Sequence, residues 1–285
     1  MEPYLRILFL IIAFFFGAIL GSFACCQAWR IRLKEQNRKS PGKWSVCLSC
    51  GKRLKASENI PIFSWLVQRG KCKKCGVKIG NAEILSELFL GLAFVAIANA
   101  LFDDLLFAFS GTNFASTLML IFKLLLLMIS ISIMWILVVY DAKWQKLPTF
   151  LLTILNACAI IYLILLAIGQ FLNGATFQSL GTFFLNNLGA AALLAGPYYL
   201  LSVLSREKLV GSGDWLVALP IALFLGHFWL ALVTLFIANT LGAIFGLYRK
   251  ARRGEKRIPF GPFLVIAFVI VFALQNWLMS LITIL

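Results

Sequence analysis

The chain has 285 residues, of which 61% are hydrophobic and only 13% are charged, and its formal net charge is +15. A soluble domain normally carries about 25% charged residues, so this composition excludes a soluble protein of ordinary type. Apolar segments of roughly 20 residues, the length that crosses the hydrocarbon core of a bilayer, recur along the chain. The sequence therefore predicts an all-α polytopic membrane protein.

Eight apolar segments are predicted to be transmembrane helices. They lie near residues 4–29, 84–102, 118–140, 148–170, 182–204, 215–226, 228–248 and 261–284. The sixth is short and is interrupted by Pro220 and Gly226, so the region can also contain a re-entrant segment. Three domains follow from this pattern, namely a first transmembrane helix, a polar insert and a larger membrane domain, at residues 1–29, 30–82 and 83–285.

The basic residues are distributed unevenly. Fourteen of the 26 lie in residues 30–78, and ten more lie in three other loops, at Lys143, Lys146, Arg206, Lys208, Arg249, Lys250, Arg252, Arg253, Lys256 and Arg257. Because cytoplasmic loops are rich in Lys and Arg, this pattern predicts eight spans with both termini outside. Contact with the lipid bilayer accounts for the positive charge, so no nucleic-acid partner is predicted, and nothing indicates an oligomeric state.

Four cysteines in the insert predict a structural zinc site. They form two pairs, Cys47 with Cys50 and Cys72 with Cys75, and a glycine follows each pair. Two such pairs supply the four thiolates of a tetrahedral site, and the reducing cytoplasm disfavours disulfides. An insert of this size has little core of its own, so a structural role is favoured over catalysis.

Two aspartates at predicted helix ends are the candidate catalytic pair. Asp141 ends the third span, and Asp214 follows Gly211 and Gly213 in a turn before the sixth. Acidic residues in an apolar chain are costly, which favours a functional role. The glycines allow close backbone approach, and Pro148 has its φ preset for a first helical turn. The structural alternative is a helix N-cap for Asp214 and a lipid-interface residue for Asp141.

Together, these motifs resemble the type IV prepilin peptidases over nearly the whole chain. The resemblance lies in their order and spacing: Gly21-Ser22-Phe23 with Arg30, the cysteine pairs around Glu58–Trp65, Arg69-Gly70, Asp141 with Leu147-Pro148, Gly211-x-Gly213-Asp214, and Ile258–Pro262. It implies a bacterial inner-membrane aspartic peptidase that removes the basic leader of prepilins or pseudopilins at the cytoplasmic face. Residues 30–82 would then be its zinc domain and residues 83–285 its peptidase domain.

The resemblance also implies a second activity, N-methylation of the new N-terminus with S-adenosylmethionine. Glu58 and Glu87 match family positions and are candidate support or substrate-binding residues. Leu216, Cys25 and Thr149 depart from the family pattern, and no glycine-rich nucleotide loop is present to hold the methyl donor. A peptidase without methylation is therefore an alternative. A transporter that relays ions or protons through the acid pair is a further alternative, although no inverted repeat of broken spans is visible.

Overall fold

A computed structural model describes residues 2–38, 42, 44–110, 114–172, 174–208, 210–253 and 258–284. The basic residues Lys256 and Arg257 lie outside the described residues. Within the described ranges the chain is helical, with no strand and only two isolated β-bridges. The predicted all-α class is confirmed. The chain divides into two compact units, Met1–Ala98 and Asn99–Leu285.

The first unit is built on two long apolar helices, α1 (Glu2–Glu35) and α3 (Asn81–Ala100). They pack closely where glycines remove side-chain bulk. A Cβ atom at Gly17 would lie 2.9 Å from the Cβ atom of Phe94, and one at Gly21 would lie 2.7 Å from the Cα atom of Glu87. Small residues at this spacing allow two membrane helices to approach closely.

The polar insert between α1 and α3 has little regular structure. It contains a 3₁₀ turn, Ala56–Glu58, and a five-residue helix, α2 (Phe63–Val67). Two bridges, Val46 with Arg53 and Lys71 with Lys78, close two similar turns around the cysteine pairs. Most of its backbone order therefore lies in these turns.

The second unit is a bundle of eight helices within the described residues. They are α4 (Phe102–Ser110), α5 (Phe114–Trp144), α6 (Thr149–Leu172), α7 (Phe177–Ser205), α8 (Ser212–Leu225), α9 (Phe228–Arg253), α10 (Gly261–Ala273) and α11 (Gln275–Ile284). The short helix α4 was not predicted. Many large apolar side chains on the long helices are exposed, for example Ile160, Leu188 and Phe236, as expected for surfaces that face lipid.

The number of full-length spans is smaller than the eight predicted segments. Six described helices are long and apolar enough to cross a membrane, or seven if α10 and α11 form one span that bends by 69°. The sixth predicted segment corresponds to α8, whose 14 residues extend only about 21 Å, less than the thickness of the hydrocarbon core. Each predicted segment thus forms helix, but the sixth is short and the last is bent.

The short helix α8 lies at the centre of the second unit. Residues 217, 218 and 220–225 are all buried. The side-chain amide of Asn156 on α6 donates to the carbonyl oxygen of Leu216 at 2.9 Å, and the ring of Phe224 packs against Tyr162 and Phe268. This central position explains why a helix too short to span the core alone remains well packed.

Candidate active site and metal site

Asp141 lies in the last turn of α5 and is only 7% exposed. Its Oδ2 atom accepts a hydrogen bond from the backbone N–H of Gly261, at 3.2 Å. Gln145 then ends the helix with a positive φ of 51°, and its N–H donates to the Asp141 carbonyl oxygen. This burial favours a role inside the protein over the alternative of a lipid-interface residue.

Asp214 is the third residue of α8. Its Oδ2 atom accepts a hydrogen bond from the N–H of Gly211, the N-cap residue, at 3.2 Å. A carboxylate in the first turn also faces the positive end of the helix dipole. Asp214 therefore helps to cap α8 from the third position, whereas the structural alternative placed it at the N-cap itself.

The two carboxylates line one cavity of about 690 Å³. They are close enough for the charge of Asp214 to act on Asp141. The other walls come from the α5–α6 loop, the start of α6, α7, the α7–α8 loop, α9 and the segment before α10, including Leu147, Thr149, Tyr198, Glu207, Lys208, Asn239, Ile258 and Phe260. Helix packing thus brings together two acids that are far apart in the sequence.

The candidate support residues of the second unit lie in or beside this cavity. Gly211 and Gly213 line it. At Gly213 an added Cβ atom would lie 3.1 Å from that of Leu147, so the glycine lets the α5–α6 loop approach α8 closely. Pro148 is buried next to the lining residues, and its carbonyl oxygen accepts the N–H of Leu151 in the first turn of α6.

Three further residues in or beside this cavity were not identified as functional from the sequence. Gly261 lies in the Ile258–Pro262 motif, which is a sequence signal for this segment. Its hydrogen bond to Asp141 was not predicted. Tyr198 and Asn239 each lie in an apolar helix and are joined by a hydrogen bond of 3.0 Å. The only sequence signal for either is a single polar group in an apolar run.

The four predicted metal ligands meet in the insert. The Sγ atoms of Cys47, Cys50, Cys72 and Cys75 all lie within 4.8 Å of one another, and those of Cys47 and Cys75 are 3.8 Å apart. Zinc–sulfur bonds of about 2.3 Å in a tetrahedron place the sulfurs about 3.8 Å apart. The arrangement therefore fits a zinc ion held by four thiolates.

Two turns of the same design present these thiols. In the first, the N–H of Gly51 donates to the carbonyl oxygen of Cys47, and in the second the N–H of Gly76 donates to that of Cys72. Both glycines adopt a φ of +68°, which other residues rarely tolerate. The backbone N–H groups of Cys75 and Lys74 lower the pKa of the Cys72 thiol to about 6, whereas burial and the neighbouring thiols raise the pKa of Cys75 to about 11. Cys72 is therefore the thiol of this pair that ionises more easily.

Glu58 and Glu87 belong to the first unit, and both are held by hydrogen bonds within it. Glu58 accepts from the Lys52 ammonium at 2.7 Å and from the Lys55 N–H at 3.0 Å. The hydrogen bond from the Lys52 side chain has the larger effect and that from the Lys55 backbone the smaller, and together they hold the pKa of Glu58 below its usual range. Glu87, 6% exposed on α3, accepts the N–H of Ile62 at 2.7 Å and also bonds to the Ser22 side chain.

Comparison with known proteins relates this chain to bacterial peptidases. Residues 15–101 match the family described as Bacterial Peptidase A24 N-terminal domain. The chain is 31% identical over 226 residues to a prepilin leader peptidase/N-methyltransferase of Dichelobacter nodosus, covering 78% of this chain and 68% of the relative. Proteins of the same name from Legionella pneumophila and Bacillus subtilis (strain 168) are each 30% identical, with 89% and 88% of this chain covered and 82% and 88% of theirs. No solved structure matches the chain.

Proposed function

This chain belongs to the prepilin leader peptidase/N-methyltransferase family, and we propose that it is a membrane aspartic endopeptidase that cleaves the leader from type IV prepilins or pseudopilins. The observation that carries this proposal is the shared cavity of Asp141 and Asp214. The relatives act on prepilins according to their names, and their matched regions cover most of this chain. The paired acids supply a chemistry suited to that substrate.

Hydrolysis of the leader peptide bond needs one ionised and one protonated carboxyl group. The ionised group takes a proton from water as the water oxygen bonds to the scissile carbon. The carbonyl π electrons then move to the carbonyl oxygen, which takes the proton of the other carboxyl group. When the C–N bond breaks, its electron pair stays on nitrogen, which receives a proton from the carboxyl group formed first, and the hydroxyl proton passes back to the other carboxylate as the C=O bond re-forms.

The hydrogen bonds of the two acids leave room for this chemistry. Each uses its Oδ2 atom to accept a backbone N–H, from Gly261 or from Gly211. Among the described residues neither Oδ1 atom has a hydrogen-bond partner, so each can face water or substrate. Two interacting carboxyl groups titrate as a pair, so the acid and base roles belong to the pair and not to a single residue.

Basic residues near the aspartates support a cytoplasmic position for the site. Lys143 and Lys146 follow Asp141, and Arg206 and Lys208 precede Asp214. Basic loops are retained on the cytoplasmic side of the inner membrane. A prepilin whose apolar segment lies in the bilayer would leave its basic leader at this surface, where the acid pair is complementary in charge.

Zinc and S-adenosylmethionine are proposed as the cofactors. Cys47, Cys50, Cys72 and Cys75 would hold zinc, which would stabilise the insert. The names of the relatives support methylation of the new N-terminus as a second activity. The described residues contain no strand, so the βαβ unit that binds many nucleotide cofactors is absent from them, and no residue is assigned to the methyl donor. Transfer of a radiolabelled methyl group to cleaved pilin separates the bifunctional enzyme from a peptidase alone.

The peptidase proposal is tested by co-expressing a prepilin with Asp141→Asn or Asp214→Asn. Each variant keeps the side-chain shape and removes the ionisable group, so both should lose leader cleavage at normal membrane levels. Asp104→Asn is the matched control, since Asp104 is an exposed acid on α4 outside the cavity. Full processing by either cavity variant would show that its aspartate is structural.

A further inference from the structure

Tyr198 is a buried phenol on the wall of the aspartate cavity. The side chain belongs to α7 and is only 3% exposed, yet it lines the same cavity as Asp141 and Asp214. It lies near enough to Asp214 for that charge to act on the phenol. The side chain therefore lies on the wall of the cavity that holds the proposed catalytic pair.

The direction of its hydrogen bond can be deduced from Asn239. The side-chain nitrogen of Asn239 donates to the Leu235 carbonyl oxygen at 2.8 Å and to the Tyr198 hydroxyl oxygen at 3.0 Å. An amide group has two N–H donors, so both are used. The Tyr198 oxygen is consequently an acceptor here, and among the described residues no acceptor lies within hydrogen-bond distance of its own proton.

The phenol ring is held in place by the segment that also positions Asp141. Its centroid lies 5.3 Å from that of Phe260, and the next residue, Gly261, donates its N–H to Asp141. Buried polar groups are normally hydrogen-bonded. A buried donor on a cavity wall, with no acceptor among the described residues, is the arrangement expected for a group that binds an oxygen atom of the substrate.

We propose that the Tyr198 hydroxyl donates a hydrogen bond to the carbonyl oxygen of the scissile peptide bond. This inference rests on the proposed peptidase function. As water adds to the carbonyl carbon, negative charge develops on that oxygen, and a preorganised donor stabilises it. The proton stays on the phenol throughout, so the proton transfers between water, the aspartates and the leaving amine are unchanged.

Tyr198→Phe removes only the hydroxyl group and is the primary test. Purified enzyme in detergent or nanodiscs, with a synthetic prepilin peptide, should show kcat reduced about 100-fold, as for loss of one oxyanion donor. KM should stay within about twofold, since the interaction is made mainly in the transition state. Tyr162→Phe is the matched control, because Tyr162 is 8% exposed, packs on Phe224 and does not line the cavity. It should retain the wild-type kcat.

A second variant keeps the inference testable if Tyr198→Phe does not fold. Asn239→Leu leaves the phenol in place but removes the donor that orients it. Its kcat should therefore fall about 10-fold with KM unchanged, a smaller loss than the roughly 100-fold loss expected when the hydroxyl itself is removed. A wild-type kcat in either folded variant, or a change confined to KM, overturns the inference.

If the aspartate variants are inactive while Tyr198→Phe is fully active, only this inference fails. If the aspartate variants cleave normally, the peptidase proposal itself fails.

Discussion

The cysteine cluster and the aspartate cavity are assembled in different ways. The four thiols come from two short turns of the same design within one insert, each closed by a glycine with a φ of +68°. The cavity needs α5, the α5–α6 loop, α7, α8, α9 and the segment before α10. The cysteine cluster therefore depends on its four ligands and the two turns that carry them. The aspartate cavity also depends on residues that take no part in the chemistry but hold the helices in their relative positions.

The largest effect is expected from Cys47→Ser, which removes one of the four thiolates. Structural zinc in small domains contributes roughly 10 kcal/mol or more to folding, so bound zinc should fall from one equivalent to near zero. Metal analysis of the purified full chain measures this directly. Cys158→Ser is the control, since Cys158 lies on α6 and is not one of the four clustered thiols, so this variant should retain its zinc. Unchanged metal content in Cys47→Ser would contradict the four-thiolate site.

The cavity should be sensitive to a single methyl group at Gly261. A Cβ atom there would lie 3.1 Å from Asp141 Oδ2, so Gly261→Ala should displace the carboxylate. A misplacement of about 1 Å can cost about 100-fold in rate, and that loss of cleavage is expected. Gly181→Ala is the matched control, because a Cβ atom at Gly181 would have no atom of the described chain within 4 Å. Equal cleavage by the two alanine variants would show that Asp141 does not depend on this contact.

Glu87→Leu should loosen the insert without removing its zinc. Ile62 has a positive φ of 63°, which is strained for a β-branched residue, and its N–H is bonded to Glu87. Loss of that acceptor should cost about 1–3 kcal/mol of local stability. Hydrogen exchange of residues 60–66 should accelerate. Glu83→Leu is the control and should change it little, since one buried oxygen of the Glu83 carboxylate has no hydrogen-bond partner among the described residues. Unchanged exchange in Glu87→Leu would exclude this supporting role.

The smallest effect is a pH dependence of the insert that comes from Glu58. Its pKa is lowered in the folded chain, first by the Lys52 hydrogen bond, so the pair stabilises the insert above the unfolded pKa of about 4.3. That stabilisation is lost as the pH falls through the folded pKa. Wild type should therefore unfold at a slightly higher temperature than Glu58→Gln at pH 7, and the difference should vanish in acid. A difference that is constant with pH would contradict the ion-pair contribution.

The contrast between the two regions also explains what the sequence could predict. The cysteine pairs and their glycines predicted the four-thiol cluster, because the spacing alone defines those turns. The apolar segments predicted the long helices, but α4 and the 69° bend between α10 and α11 were missed. Asp103 and Asp104 made α4 resemble a loop, and Gln275 at the bend interrupts an apolar run that was predicted to be one helix. The contacts of Gly261 and Tyr198 join helices that are distant in the sequence, so hydrophobic pattern carries no information about them.

The central claim is that Asp141 and Asp214 act as one catalytic unit. The most direct test compares the cleavage rates of Asp141→Asn, Asp214→Asn and the double variant on one prepilin peptide. Residues that act as a unit are strongly non-additive, so the double variant should be no slower than either single variant, and all three should lie at least about 1,000-fold below wild type. Two moderate losses that multiply in the double variant would show that the aspartates act independently, and would contradict the shared mechanism.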